Sequence, residues 1–328
     1  MEPKIKPIFL FSLPRSGSTL VQRVLAAHHQ IATVSEPWIM LPMLGARRLE
    51  GTFADYSHLS TYYAINDFIN SLPGQESAYR AELKVFFLNL YQQAAGSGVT
   101  YFLDKTPRYH SFAHEIIQIF GEDAHYIFLW RNPLSVIASL IEMGNGKWNL
   151  YQYKIDLYQG LDNLIRTWQT CQANAISINY ETLVRDRVGT EWERLFAYLD
   201  LKFSPGYLSE FADVKLPGTA GDISGMKQYS SISDAPLEKW KTTLSNPMRK
   251  RWAKNYLRWI GEKRLSEMGY SLSNLMETID SVHGSWHGVP ADFGRMVIGE
   301  LRCVFSLRSI YYNLQKIPDP KTIFSVEY

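Results

Sequence analysis

The sequence is poor in several features that would each have pointed to a class of protein. It holds two cysteines in 328 residues, Cys171 and Cys303. Two widely separated thiols make no disulfide framework and offer no zinc-ligand spacing, so both read as ordinary reduced side chains. It has no excess of one charge: 34 basic against 32 acidic residues leave a net charge of +2. Bulk attraction to a polyanion is thereby excluded, no nucleic-acid partner is expected, and any bound anion must be held by local groups. It has no long hydrophobic run. The apolar stretch at residues 8–13 is far short of the ~20 residues of a membrane-spanning helix. It leads into Pro14-Arg15-Ser16-Gly17 rather than a small-residue cleavage site,. No membrane span is expected, and a cytoplasmic location is the corresponding expectation. Internal repeats and low-complexity tracts are also missing.

What is present is a chain that is 46% hydrophobic, enough for one large α/β domain or two small ones. Residues 8–13 form a continuous apolar run that ends in a turn signal, the mark of a strand buried on both faces. Leu20, Val21, Val24 and Leu25 then recur at helical spacing over residues 18–28,. A short strand is expected at 31–34. Residues 38–96 read as helical, with breaks near Gly51 and at Pro73-Gly74. Their many aromatic side chains suit core packing, and the segment is long enough to contribute to an acceptor cleft. Strands at 99–103, 125–130 and 175–180 alternate with helices at 111–120, 133–143, 151–173, 191–199 and 250–268. This alternation predicts an α/β fold with a phosphate-loop-like central parallel sheet flanked by helices. Residues 1–274 read as one domain and 275–328 as a C-terminal helical appendage.

Pro14-Arg15-Ser16-Gly17-Ser18-Thr19-Leu20 lies between the first strand and the first helix. Backbone N–H groups at a helix start lack intrahelical acceptors, and the helix dipole adds partial positive charge. Gly17 lets the backbone approach an anion, Ser16, Ser18 and Thr19 add hydroxyl donors, and Arg15 adds full charge. The plain alternative is a strand-to-helix turn with a serine cap. The nucleotide-triphosphatase loop G-x-x-x-x-G-K-[ST] is not matched, since no lysine precedes Ser18-Thr19,. The acidic residue that would close a strand beside magnesium is also missing: residues 125–130 are followed by Arg131, which offers a second anion site in its place.

Residues 15–20 resemble the 5′-phosphosulfate loop of sulfotransferases that use 3′-phosphoadenosine 5′-phosphosulfate (PAPS), in the form most similar to the tyrosylprotein and carbohydrate branches. Arg131 with Ser139 eight residues on resembles the family's 3′-phosphate pair. Ser139 lies about two helical turns past Arg131, on nearly the same face. Leu103-Asp104-Lys105-Thr106-Pro107-Arg108 resembles the family's lysine-proline segment. Tyr180-Glu181-Thr182-Leu183-Val184 resembles the segment whose tyrosine packs near the adenine. The resemblance covers residues 6–200 and weakens to about Tyr270.

The resemblance implies a sulfotransferase that takes PAPS as co-substrate, needs no metal, and releases 3′,5′-adenosine bisphosphate. It implies Arg15, Ser16, Gly17, Ser18, Thr19 and Leu20 as donor-binding residues, with Arg131, Ser139 and Tyr180, and with Ser224 and Lys239 from the later donor-binding loop. The stretch 219–233 could then close over the nucleotide as a lid. It implies Glu36 as general base and Lys105 with Arg15 as charge clamps on the transferred group, with His110 as the alternative base. From the residues alone, Ser35-Glu36-Pro37 reads first as a helix start, where the dipole favours Glu36; the resemblance is what turns the reading to catalysis. An ATP- and magnesium-dependent kinase and a non-catalytic nucleotide-binding module are the competing functions. The expected acceptor is a hydroxyl on a small molecule, a sugar or a lipid.

Overall fold

The computed structural model describes residues 5–49, 57–186, 188–218 and 231–304. The chain opens with β1 (Lys6–Ser12), α1 (Ser18–Ala26) and β2 (Ile31–Thr33). It then passes through α2 (Met40–Gly45), α3 (His58–Ser71) and α4 (Gln75–Ala95) to β3 (Tyr101–Asp104). Next come α5 (Ala113–Phe120), β4 (His125–Trp130), α6 (Pro133–Met143), α7 (Leu161–Cys171), β5 (Ala175–Asn179), α8 (Tyr180–Arg185) and α9 (Thr190–Tyr198). Later helices span Ala235–Thr243, Pro247–Glu267, Leu272–Ser281 and Val289–Val304.

Among the described residues the strands form one five-stranded sheet in the order β2-β3-β1-β4-β5, and every neighbouring pair is parallel. Parallel neighbours cannot be joined by hairpins, so helical crossovers return the chain. The α/β fold with a helix-flanked parallel sheet is therefore the one the alternation predicts. Register brings the strand ends to one edge: Phe9 lies opposite Asp104, Ser12 opposite Leu129, and Trp130 opposite Asn179. Ligands of open α/β sheets bind at the carboxyl ends of the strands, where strand order reverses. Here that place is β1, between β3 and β4.

Side chains alternate across a strand, and the two faces differ in kind. Phe9, Phe11, Phe102, Tyr126, Phe128 and Trp130 share one core, with the rings of Phe11 and Tyr126 stacked at 6.2 Å. Ile8, Leu10, Leu103, Ile127, Leu129 and Ile178 share the other, with Val21, Val24 and Leu25 of α1 and Trp192 of α9. Each fully buried side chain of this size contributes about 1.5–3 kcal/mol. That burial holds α1 to the sheet and so fixes the loop that precedes it.

Two helices depart from the sequence expectation. The helix expected at 151–173 begins instead with a 3-10 turn at Leu150–Tyr153 and a π-helical turn at Ile155–Gly160 before α7. The widened turn coincides with Asp156 reaching His110, and with Gly160, where a Cβ would lie 2.5 Å from His110 Nδ1. The helix expected at 250–268 is interrupted at Gly261, whose φ is 76°. The boundary expected at 274/275 lies inside the helix Leu272–Ser281. Beyond it, buried Asp292 accepts from Arg249 at 2.7 and 3.1 Å and from Asn246 at 3.2 Å. The described part of the C-terminal segment is thus tied to the helix Pro247–Glu267. No helix of the described residues is long and apolar enough to cross a membrane.

Candidate active site

Each of four strands is followed, at the shared edge, by residues singled out in the sequence. Leu13 to Gly17 follow β1, Lys105 follows β3, Arg131 follows β4 and Tyr180 follows β5. The topology assembles in space what lies 165 residues apart between Arg15 and Tyr180.

The β1–α1 loop is a curled backbone. Arg15 and Gly17 have φ of 67° and 88°, both left-handed. Such turns point successive N–H groups inward and make an anion-receptive concavity. Ser16 N–H donates to the Leu13 carbonyl at 3.3 Å, and Ser16 and Ser18 are buried. Gly17 caps α1 with no side-chain cap, so the helix start keeps backbone donors for a ligand. Thr19 and Leu20 complete this first turn and are half-buried. Gly17 is required twice over, by its φ and by its neighbour: a Cβ there would stand 2.2 Å from Tyr180 Cε2.

Arg131 joins this loop directly. Its Nη1 donates to the Arg15 carbonyl at 2.7 Å, and its guanidinium carbon lies 4.6 Å from the centroid of the Tyr180 ring. Arg15 Nε in turn donates to Ser139 Oγ at 3.1 Å. The helix carrying Ser139 starts at Pro133, whose missing N–H costs nothing at that position, and is capped by Asn132, which accepts from Leu134 N–H at 2.9 Å. Glu181 accepts from Asn132 N–H at 3.0 Å and from the Tyr270 hydroxyl at 2.6 Å, fixing α6 against α8. Two buried polar atoms here have no partner among the described residues, Arg131 Nε and Ser135 Oγ. Buried donors are normally satisfied, so these two fit a phosphate oxygen.

Glu36 stands where β2 gives way to α2. Gln22, fully buried on α1, donates its amide to Thr33 Oγ1 at 2.9 Å, to the Val34 carbonyl at 2.7 Å and to the Ser35 carbonyl at 3.1 Å. Ser35 N–H donates to the Pro217 carbonyl at 2.9 Å. Glu36 Oε1 accepts from Lys105 Nζ at 2.6 Å and Oε2 from the Trp38 indole N–H at 3.0 Å. The Lys105 side chain is 1% exposed and that of Glu36 10%. A pair so desolvated persists only with good geometry and further hydrogen bonds. Beside it, burial raises the Asp104 carboxyl to about 6, opposed by hydrogen bonds from Tyr91, Tyr109 and Thr106 and by Lys105.

Not every candidate converges on this edge. His110 is fully buried, and both ring nitrogens are engaged: Nε2 meets Asp156 Oδ1 at 2.6 Å and Nδ1 meets Ser111 Oγ at 3.0 Å. Its environment is that of a core histidine. Lys239 is exposed and lies 3.6 Å from Glu142 near the end of α6. Ser224 and most of the stretch 219–233 lie outside the described residues. Three contributors are not singled out by the sequence. Ser135 precedes Ser139 by four residues, a spacing that shares a helix face and could have flagged it. Trp38 and Gln22 carry no such signal, because their partners are set by a loop path.

The comparisons with known proteins agree with this fold. The family model described as "Sulfotransferase family" matches residues 7–205, and the chain belongs to that family. Nodulation protein NoeE from Sinorhizobium fredii is 32% identical over 133 residues, which cover 40% of this chain and 30% of that protein. The match therefore spans less than a third of the length of that curated relative. Among solved structures, the sulfotransferase domain from the curacin biosynthetic pathway is similar with a TM-score of 0.51 and 22% identity, over 79% of this chain and 99% of that one. That likeness is one of fold.

Proposed function

We propose that this protein transfers the sulfuryl group of PAPS to a hydroxyl of a small-molecule, sugar or lipid acceptor and releases 3′,5′-adenosine bisphosphate. The observation that carries the reading is the 2.7 Å bond from Arg131 Nη1 to the Arg15 carbonyl. It makes the two strand-to-helix junctions neighbours, which supports one doubly phosphorylated adenosine reaching both. Residues 15–20 would hold the 5′-phosphosulfate. Arg131, Ser135 and Ser139 would hold the 3′-phosphate, and Tyr180 would pack near the adenine.

PAPS supplies an activated sulfur whose leaving group is a nucleotide phosphate. Such a transfer asks the protein for alignment and charge stabilisation more than for covalent chemistry. Glu36 takes the acceptor proton while the acceptor oxygen bonds to sulfur and the sulfur–oxygen bond to the 5′-phosphate breaks. Lys105 and Arg15 stabilise the charge that develops on the bridging and sulfuryl oxygens. Glu36 is favoured over His110 because the histidine would have to break buried bonds to take a proton.

Thermal denaturation with added nucleotide tests this reading. Stabilisation by 3′,5′-adenosine bisphosphate, exceeding that by ATP with magnesium, is the expected result. Stabilisation by ATP with magnesium alone would point to a kinase.

A further inference from the structure

Asp104 closes β3 and is wholly buried. Its Oδ2 accepts from the Tyr91 hydroxyl at 2.6 Å and from the Tyr109 hydroxyl at 3.1 Å, and its Oδ1 accepts from the Thr106 hydroxyl at 3.1 Å. An ionised carboxylate only accepts hydrogen bonds, whereas a hydroxyl has one proton to give and lone pairs to receive with. Each hydroxyl that gives its proton to Asp104 must therefore turn its lone pairs elsewhere. Two of them turn to the same loop. Thr106 Oγ1 receives the Trp38 backbone N–H and the Tyr109 hydroxyl receives the Met40 backbone N–H, both at 3.4 Å.

The loop so tethered directly follows Glu36, and Lys105 directly follows Asp104. The two halves of the Glu36–Lys105 pair thus hang from one carboxylate, Lys105 through the chain and Glu36 through two hydroxyls and two backbone donors. We propose that Asp104 is a positioning residue for the transfer: its carboxylate sets the direction of the Thr106 and Tyr109 hydroxyl protons and thereby holds the Glu36 loop against Lys105. The proposal rests on the reading that Glu36 and Lys105 carry the reaction.

Burying a carboxylate is costly, and pure packing would be served as well by an uncharged residue of the same shape. Asparagine has that shape but places N–H donors where Asp104 places an acceptor. At least one hydroxyl would then reverse, and its tether to residues 38–40 would be lost. The bonds to the loop are long and individually weak, so they govern the placement of Glu36 more than the stability of the fold.

The test uses the full chain with Asp104→Asn, Thr106→Val and Tyr109→Phe. Transfer is followed from radiolabelled PAPS to a panel of phenols, alcohols and sugars, with bisphosphate affinity measured by calorimetry. Asp104→Asn is expected to lower kcat about 10- to 100-fold, the effect of a misplacement of order 1 Å, with KM for PAPS and bisphosphate affinity unchanged. Adding Tyr109→Phe to Asp104→Asn is expected to cost little more, because both act through one tether. Wild-type kcat in Asp104→Asn, or an equal loss of bisphosphate affinity and kcat, overturns the proposal. If Asp104→Asn does not fold, wild-type kcat in both Thr106→Val and Tyr109→Phe overturns it equally. Full activity in Glu36→Gln would instead overturn the reading beneath it. An inactive Glu36→Gln beside fully active Asp104→Asn, Thr106→Val and Tyr109→Phe would overturn this proposal alone.

Discussion

Tyr180 packs against Gly17, with its Cε2 2.2 Å from where a Cβ on Gly17 would stand. The ring also lies 4.6 Å from the Arg131 guanidinium carbon, so the tyrosine is packed between the turn after β1 and the arginine after β4. A residue from the end of β5 thereby sets the spacing between the Arg15–Gly17 turn and Arg131, which follow other strands. Gly17→Ala is expected to displace the ring and to strain a left-handed position by about 1–3 kcal/mol. Thermal denaturation should show the loss of stability, and calorimetry a matching loss of bisphosphate affinity. Unchanged affinity would separate Tyr180 from the nucleotide pocket.

Arg131→Ala is expected to weaken bisphosphate binding by about 1.5–3 kcal/mol, the range for hydrogen bonds to charged groups. Arg131→Lys should recover little of it. A lysine has no planar fork with which to donate to the Arg15 carbonyl and stack on Tyr180 together. Calorimetry on both variants checks this, and wild-type affinity in Arg131→Lys would reduce the role of Arg131 to that of a point charge.

Trp38 fixes the second oxygen of Glu36 through its indole N–H at 3.0 Å. Trp38→Phe keeps an aromatic ring but deletes that donor. The expected result is a fall in kcat of about tenfold, equivalent to one hydrogen bond of ~1.4 kcal/mol, with bisphosphate affinity intact. Steady-state kinetics reads it, and an unchanged kcat would mean that Lys105 alone orients Glu36.

Asp104 gives a pH dependence of stability with a definite sign. Its carboxyl is raised by burial to about 6 in the fold, above the ~4 of an unfolded chain. Below about pH 4 the group is protonated in both states and its contribution is complete; as pH rises through 6 that contribution is lost. Wild type should therefore lose about 2 kcal/mol relative to Asp104→Asn between pH 4 and 7. Denaturant titrations across that window should show the two curves diverging, and parallel curves would contradict the assignment. A carboxylate kept at such a cost fits a role in function rather than in stability.

Much of the fold and part of the site are legible in the amino-acid sequence. The strands at 8–13 and 125–130 show as unbroken apolar runs, and in a parallel sheet their ends must share an edge, so pattern and topology together bring Arg15 near Arg131. Pro133 marks the start of α6 through chemistry that acts locally. What stays hidden depends on contacts between remote segments. The π-helical turn at Ile155–Gly160 arises where Asp156 meets His110, and periodicity alone reads that stretch as ordinary helix. His110 looks reactive as a residue type, but its burial against Asp156 is a tertiary fact. Asp104 is one letter beside the lysine, and only the folded chain brings Tyr91, Tyr109 and the 38–40 loop to it.

The most direct measurement compares wild type with Glu36→Gln on radiolabelled PAPS and a panel of hydroxyl compounds, with bisphosphate affinity measured in parallel. A general base at Glu36 predicts labelled product from wild type, a loss of about 10²–10⁴-fold in turnover for the variant, and equal bisphosphate affinity in both. Label transferred at the wild-type rate by Glu36→Gln would contradict it.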